Sequence, residues 1–158
     1  MLDNLFPRTI DNRFPGHWLA LWLFVPLVGL RLLIGANSMI NTASVATGAD
    51  GIPLDTFSPA AADATLSLFA LLGLEGLTVA VLCALALLRY RAMIPLLYLL
   101  LVLQTVASRI LSHVHPMVHA GAATLGSSGI AIGTIVSYGL MGLTVLGFLL
   151  SLVPRRTQ

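Results

Sequence analysis

Four long apolar stretches, separated by short polar segments, make up most of this chain. They cover residues 17–40, 59–88, 92–112 and 129–153. Each is long enough for an α-helix to cross a bilayer, which takes about 20 residues. The pattern therefore predicts an all-α fold, an integral membrane four-helix bundle, and a single transmembrane domain over residues 1–158.

The polar links predict how the spans are connected. Residues 42–58 are rich in Gly, Ala, Ser, Thr and Pro and include Asp50 and Asp55, so they are typical of an exposed outer loop. The link at residues 89–91 (RYR) is so short that the second and third spans must be antiparallel neighbours. These links indicate an antiparallel up-down topology.

Charge sets the expected orientation and partners. Arginines collect before the first span, at residues 89–91 and at residues 155–156, whereas the first link is acidic. By the positive-inside tendency both termini are cytoplasmic, in a multi-pass protein of the bacterial inner (cytoplasmic) membrane. With 58% hydrophobic and 9% charged residues and a net charge of +2, the chain is expected to contact the lipid bilayer and no nucleic acid.

Charged residues inside the apolar stretches are the main candidates for a functional site, because an isolated charge in lipid is costly. Arg31 lies fourteen residues after His17, and Glu75 lies fourteen residues before Arg89. At 1.5 Å per residue both are about 21 Å from the same side of the membrane. We expect them to pair inside the bundle.

Three further residues extend this predicted buried polar site. Gln104 is at nearly the same depth, about 20 Å from Arg91, whereas Arg109 and Tyr138 share a level nearer the outer surface. The site either fixes helix register, as buried polar groups sometimes do, or binds a polar head group, a proton or an anion. Its members are Arg31, Glu75, Gln104, Arg109 and Tyr138.

Two other patterns have both a structural and a functional interpretation. His113, His115 and His119 follow the third span, and are either surface residues or ligands of a divalent metal ion. In the fourth span, small residues recur every four positions, which lets helices approach closely within the bundle or across a homodimer. They are Gly129, Gly133 and Ser137.

Three short segments resemble the DoxX-like family of small four-span bacterial membrane proteins. They are residues 29–35 (GLRLLIG), 72–77 (LGLEGL) and 89–91 (RYR), within a similarity over roughly residues 29–110. The resemblance implies an integral four-helix protein linked to redox or sulfur metabolism, which works with other oxidoreductase components. Arg31 and Glu75 are the two site positions that it carries over.

These patterns favour an accessory or scaffold subunit over an enzyme, and the resemblance implies that it is associated with a membrane redox system. We find no catalytic motif, so no catalytic residue is assigned. The partners would be other membrane subunits or further copies of the chain. The alternative is a redox component that binds a quinone or a sulfur species directly, with a quinone or lipid as its ligand; a small transporter is a weaker third interpretation.

Overall fold

Four α-helices dominate the structure, a computed structural model that describes residues 5, 7, 11–114 and 132–153. They are α1 (Trp18–Ile40), α2 (Pro59–Arg89), α3 (Ile94–Val114) and α4 (Ile132–Leu152). All four are long and apolar enough to cross a membrane. The prediction of an all-α multi-pass protein is confirmed to this extent.

Local sequence signals explain where the helices begin. The His17 side chain accepts a hydrogen bond from the Leu19 N–H group at the start of α1. At the start of α2 the Ser58 side chain accepts a hydrogen bond from the Ala61 N–H group, and Pro59 is in the first turn. Side-chain acceptors and a leading proline both suit the unpaired N–H groups of a first helical turn.

The link between α1 and α2 differs from the exposed loop that its composition predicts. It contains a helical turn at Thr42–Ser44, a π-helical turn at Val45–Ala49 and a 3-10 turn at Leu54–Thr56. Ala46 and Ile52 are buried, and the Ile52 N–H group donates to the Ala46 carbonyl at 2.8 Å. Local turns satisfy the backbone, so the link folds back on the bundle.

Helices α1 and α2 pack backbone to backbone through two glycines. A Cβ atom added at Gly35 would lie 2.7 Å from the Leu77 nitrogen, and one at Gly73 would lie 2.9 Å from the Met39 nitrogen. Small residues allow such close approach between membrane helices. The structure therefore shows tight helix contact in the first two spans, at positions outside the predicted fourth-span pattern.

Tyr98 on α3 is the centre of the packed core. Its hydroxyl group donates a 2.8 Å hydrogen bond to the Ala20 carbonyl, and its ring meets Phe24 edge-on with the centroids 4.9 Å apart. Gly147 on α4 lies directly against the same ring and leaves no room there for a Cβ atom. Tyr98 thus ties α1, α3 and α4 together, and we call this part of the bundle the Tyr98 end.

The contacts around the bundle are uneven. α1 packs mainly against α2 and α4, and α3 packs mainly against α4. α2 and α3 are joined by the turn at Arg91–Met93 but touch sparsely along their length. This leaves a cleft between α2 and α3 at the end away from Tyr98, which we call the Arg109 end.

The predicted packing residues of the fourth span have different positions. Gly129 lies outside the described residues, and Gly133 lies in the first turn of α4. Ser137 lines the cavity of the cleft, and its role in helix packing stays a prediction. Further along α4, a Cβ atom at Gly139 or Gly142 would meet nothing within 4 Å.

Candidate functional site

Gln104 connects the two charges that the sequence predicts to pair. Arg31 Nη1 donates to Gln104 Oε1 at 3.4 Å, and Gln104 Nε2 donates to Glu75 Oε1 at 2.9 Å. In the described part of the chain, Arg31 and Glu75 make no direct ion pair. The amide therefore presents its acceptor to the cation and its donor to the anion, and links α1, α3 and α2 at one level.

Arg31 is only partly satisfied by this arrangement. Its Nε atom is buried and has no hydrogen-bond acceptor among the described residues. An unsatisfied buried donor costs about 1 to 3 kcal/mol, and more when it belongs to a charged group. Because Nε is enclosed by protein, an oxygen-bearing ligand in the cavity could reach only the Nη groups of Arg31.

A cavity of about 570 Å³ adjoins Arg31 at the Arg109 end of the cleft. Its wall is built from all four helices and from Asp50 of the first link. Gly76 on α2 leaves space beside it, because a Cβ atom there would meet nothing within 4 Å. The described polar lining consists of Arg31, Ser38, Asp50, Gln104, Thr105, Ser108, Arg109, Ser112 and Ser137, and the apolar lining of Ile34, Phe69, Leu72 and Leu140.

Arg109 and Tyr138 form a second contact at this cavity. The Arg109 guanidinium carbon lies 4.3 Å from the centre of the Tyr138 ring, which is a cation–π geometry. Arg109 lines the cavity, whereas the Tyr138 side chain is exposed on the outer side of the contact. The tyrosine ring thus holds the Arg109 guanidinium group against α4.

Charge in the described lining is predominantly positive. It contains Arg31 and Arg109 and one acid, Asp50, which has an interaction of its own. Glu75 was predicted to be buried inside the bundle, but it is exposed on α2, is not part of this lining and bonds to Gln104. Such a cavity suits an anionic group or one rich in acceptor oxygens.

Two hydroxyl groups of this lining follow Gln104 on one face of α3. Ser108 donates to the Gln104 carbonyl at 2.8 Å, and Ser112 donates to the Ser108 carbonyl at 2.9 Å. Their oxygens keep lone pairs, which can accept further hydrogen bonds. The four-residue spacing from Gln104 predicts Ser108, and the same spacing extended by one turn would have found Ser112. Asp50 belongs to the link between α1 and α2, so the residue spacing on α3 could not indicate that it lines the cavity.

The predicted histidine cluster lies mostly outside the described residues. His113 is exposed near the end of α3, and His115 and His119 fall beyond the described part. Within that part no group of three His, Cys, Asp or Glu side chains could hold a metal ion. The metal site stays a prediction.

Similarity to other proteins gives no further information about this cavity. No family model, curated protein or solved structure matches the chain. The arginine-lined cavity is therefore the feature from which a function is proposed.

Proposed function

We propose that this chain is an accessory subunit of a bacterial inner-membrane redox system and that it binds, in its cavity, the polar head of an amphipathic molecule. The head would carry acceptor oxygens, as a quinone does. Four apolar helices, a cavity of about 570 Å³ and two arginines in its wall support this proposal. The resemblance to the DoxX-like family supports the link to redox metabolism.

The observation that carries the proposal is that Arg31 and Arg109 line the same cavity. A guanidinium group has five N–H donors, and Gln104 is the only hydrogen-bond acceptor that Arg31 has in the described part. A ligand oxygen in the cavity would accept from an Nη group of Arg31, because the enclosed Nε atom is out of its reach. Arg109 lies about one and a half helical turns after Gln104 on α3. It would supply a second donor group.

The shape of the cavity favours a ligand with an apolar tail. α2 and α3 make few contacts, so the cavity adjoins a gap between two helices that face lipid. Phe69 and Leu72 line the α2 side of this gap, and Leu72 is 60% exposed. A tail could therefore extend from the polar end of the cavity into the bilayer.

The accessory role rests on the surface that the bundle leaves open. Between 17% and 28% of the residues in each candidate span are buried inside the bundle. A Cβ atom added at Gly139 or Gly142 on α4 would meet nothing within 4 Å, so another helix could approach closely there. The partner would be another membrane subunit or a second copy of this chain.

We place the bundle in the membrane with alternating spans and both termini in the cytoplasm. The basic turn at Arg91–Met93 and the Tyr98 end then face the cytoplasm. The cavity, Asp50 and the first link lie towards the opposite side. A ligand would enter from the outer half of the bilayer.

A second candidate function is direct redox chemistry on a quinone or a sulfur species. The two arginines on one cavity favour it, because they would bind an anionic sulfur compound as well as a quinone head. Quinone reduction by the purified chain with a sulfur donor would support this candidate. Bound quinone without turnover would support the accessory role.

The experiment is to identify and count the amphipathic molecules that remain with the chain. The full chain is extracted into lipid nanodiscs without detergent exchange, and its organic-soluble content is quantified by mass spectrometry. The test variant is Arg31→Gln, and the control is Arg89→Gln, which removes the same charge from an exposed residue outside the cavity. We expect the wild type and the control to retain quinone in stoichiometric amount.

Arg31→Gln should lower quinone affinity about 10-fold to 100-fold, because a hydrogen bond to a charged group contributes about 1.5 to 3 kcal/mol. Arg109→Gln provides a second test that does not disturb the contact with Gln104. Equal quinone content in all four proteins, or none in any of them, would contradict the proposal.

A further inference from the structure

A second cavity, of about 410 Å³, lies at the Tyr98 end, far from the one described above. Its described wall includes two arginines from different segments, Arg13 before α1 and Arg91 from the turn between α2 and α3. Trp18, Phe14 and Leu21 supply its apolar side. The cavity therefore combines two positive groups with an aromatic and aliphatic surface.

The segment before α1 is held in place as one wall of this cavity. The Ala92 N–H group donates to the Asp11 carbonyl at 3.2 Å, which attaches the segment to the turn that carries Arg91. Gly16 packs directly against the Ser151 backbone, where a Cβ atom would collide. The wall is thus fixed from both sides, by the α2–α3 turn and by the end of α4.

The arginine side chains are available for a ligand. Arg91 Nε donates to the Leu87 carbonyl at 3.0 Å, which positions the guanidinium group and leaves its two Nη groups without an acceptor in the described residues. The Asp11 carboxylate accepts from the Arg13 backbone N–H at 3.0 Å and is not in the cavity lining. No acidic side chain belongs to the described lining, so the arginines are not neutralised within it.

The position of this cavity along the helices matches the depth of lipid head groups. Trp18 and Trp22 are 52% and 65% exposed in the first turns of α1. Exposed tryptophans at the end of a membrane span lie at the level of the head groups. Arginine binds phosphate with two parallel hydrogen bonds, which makes it suited to a phosphodiester at this level.

We propose that this cavity binds the phosphate group of an anionic phospholipid, with Arg13 and Arg91 on the phosphate and Trp18 against the glycerol and upper acyl region. Free phosphate shares the same chemistry, so the test must separate the two. This site is independent of the quinone cavity.

The test measures quenching of Trp18 by brominated lipids in a Trp22→Phe background, which leaves Trp18 as the only tryptophan. The full chain is reconstituted in phosphatidylcholine vesicles that contain acyl-brominated phosphatidylglycerol or acyl-brominated phosphatidylcholine. Because the bromines lie at the same depth in both lipids, the difference in quenching reports preference for the head group.

We expect stronger quenching by the brominated phosphatidylglycerol. Arg13→Gln and Arg91→Gln should each lower the preference for this lipid about fivefold, which corresponds to roughly 1 kcal/mol for each basic residue at a membrane surface. Arg89→Gln is the matched control, because Arg89 is exposed nearby but does not line the cavity. Arg13 precedes the helices, so its variant is expected to fold.

Three results would overturn the proposal. The first is equal quenching by the two lipids in the wild-type background. The second is a loss of preference in Arg89→Gln as large as in Arg91→Gln, which would indicate diffuse surface charge. The third is an unchanged preference in both Arg13→Gln and Arg91→Gln, which would show that these arginines do not bind the lipid phosphate. A site for free phosphate alone would give the first result, equal quenching by the two lipids.

Discussion

Gln104 donates a 2.9 Å hydrogen bond to Glu75, and the other end of the same amide faces Arg31 at 3.4 Å. The amide thereby separates two opposite charges that would otherwise be expected to meet. Its orientation is set from both sides, because only its oxygen can accept from Arg31 and only its nitrogen can donate to Glu75. Three helices are joined at this point.

Replacing Gln104 with leucine should destabilise the bundle. The change keeps a similar volume but removes the hydrogen bonds to Arg31 and Glu75. Glu75 is exposed and can bond to water, so the main loss is the part-buried bond to Arg31. We expect a loss of about 0.5 to 1.5 kcal/mol in the free energy of unfolding measured in detergent micelles. Thr78→Val is the control, because the Thr78 hydroxyl bonds only within its own helix, to Leu74. An equal loss in both variants would count against this role of Gln104.

Gly35→Ala should separate α1 from α2. The added methyl group would lie 2.7 Å from the Leu77 backbone nitrogen, so the helices must shift. Overpacking of this kind costs about 1 to 3 kcal/mol. Gly29→Ala on the same helix meets nothing within 4 Å and should be neutral or stabilise α1 by up to about 1 kcal/mol. Thermal unfolding of both variants would show whether their effects differ in sign.

Tyr98→Phe should lower stability by about 0.5 to 1.5 kcal/mol, because it removes the buried hydrogen bond to the Ala20 carbonyl while the ring stays in place. Tyr90→Phe makes the same chemical change at a residue that is 42% exposed and should leave stability unchanged. Chemical denaturation curves of the two variants make the comparison. No difference between them would show that the hydroxyl group of Tyr98 does not contribute.

The proposed orientation predicts which residues are reached from outside the cell membrane. A cysteine at Thr47, exposed in the first link, should react with an impermeant maleimide in cells with a permeable outer membrane. A cysteine at Arg89 should react only after the inner membrane is opened. The wild type serves as the blank, since its single Cys83 is buried. Labelling of Arg89→Cys in intact cells would show that the orientation is the opposite of the one proposed.

Residue depth could be predicted from the sequence because the rise per residue of an α-helix is constant. Counting from the flanking polar residues puts Arg31, Glu75 and Gln104 at one level, and the structure links these three by hydrogen bonds. The direction of each side chain around its helix axis depends on how the helices pack. The sequence therefore could not show that Gln104 lies between the charges.

Other features depend on long-range packing and were not predictable from local pattern. The regular spacing of small residues predicted close packing in the fourth span. Gly35 and Gly73 belong to no such pattern, and only the packing of α1 against α2 shows that they allow close contact. The first link has the composition of an exposed loop, but Ala46 and Ile52 are buried where the bundle offers an apolar surface. Composition alone does not reveal such a surface.

The π-helical turn at Val45–Ala49 has a consequence for the evolution of this chain. Its closing hydrogen bond runs from Asp50 N–H to the Val45 carbonyl at 3.1 Å, five residues back, so it holds one residue more than an α-helical turn. A single-codon deletion here would restore the α-helical repeat and rotate Asp50 by about 100° around the axis. The acid would then be turned from its present position in the cavity wall, so a one-residue deletion in this link is expected to change the charge that a ligand meets there.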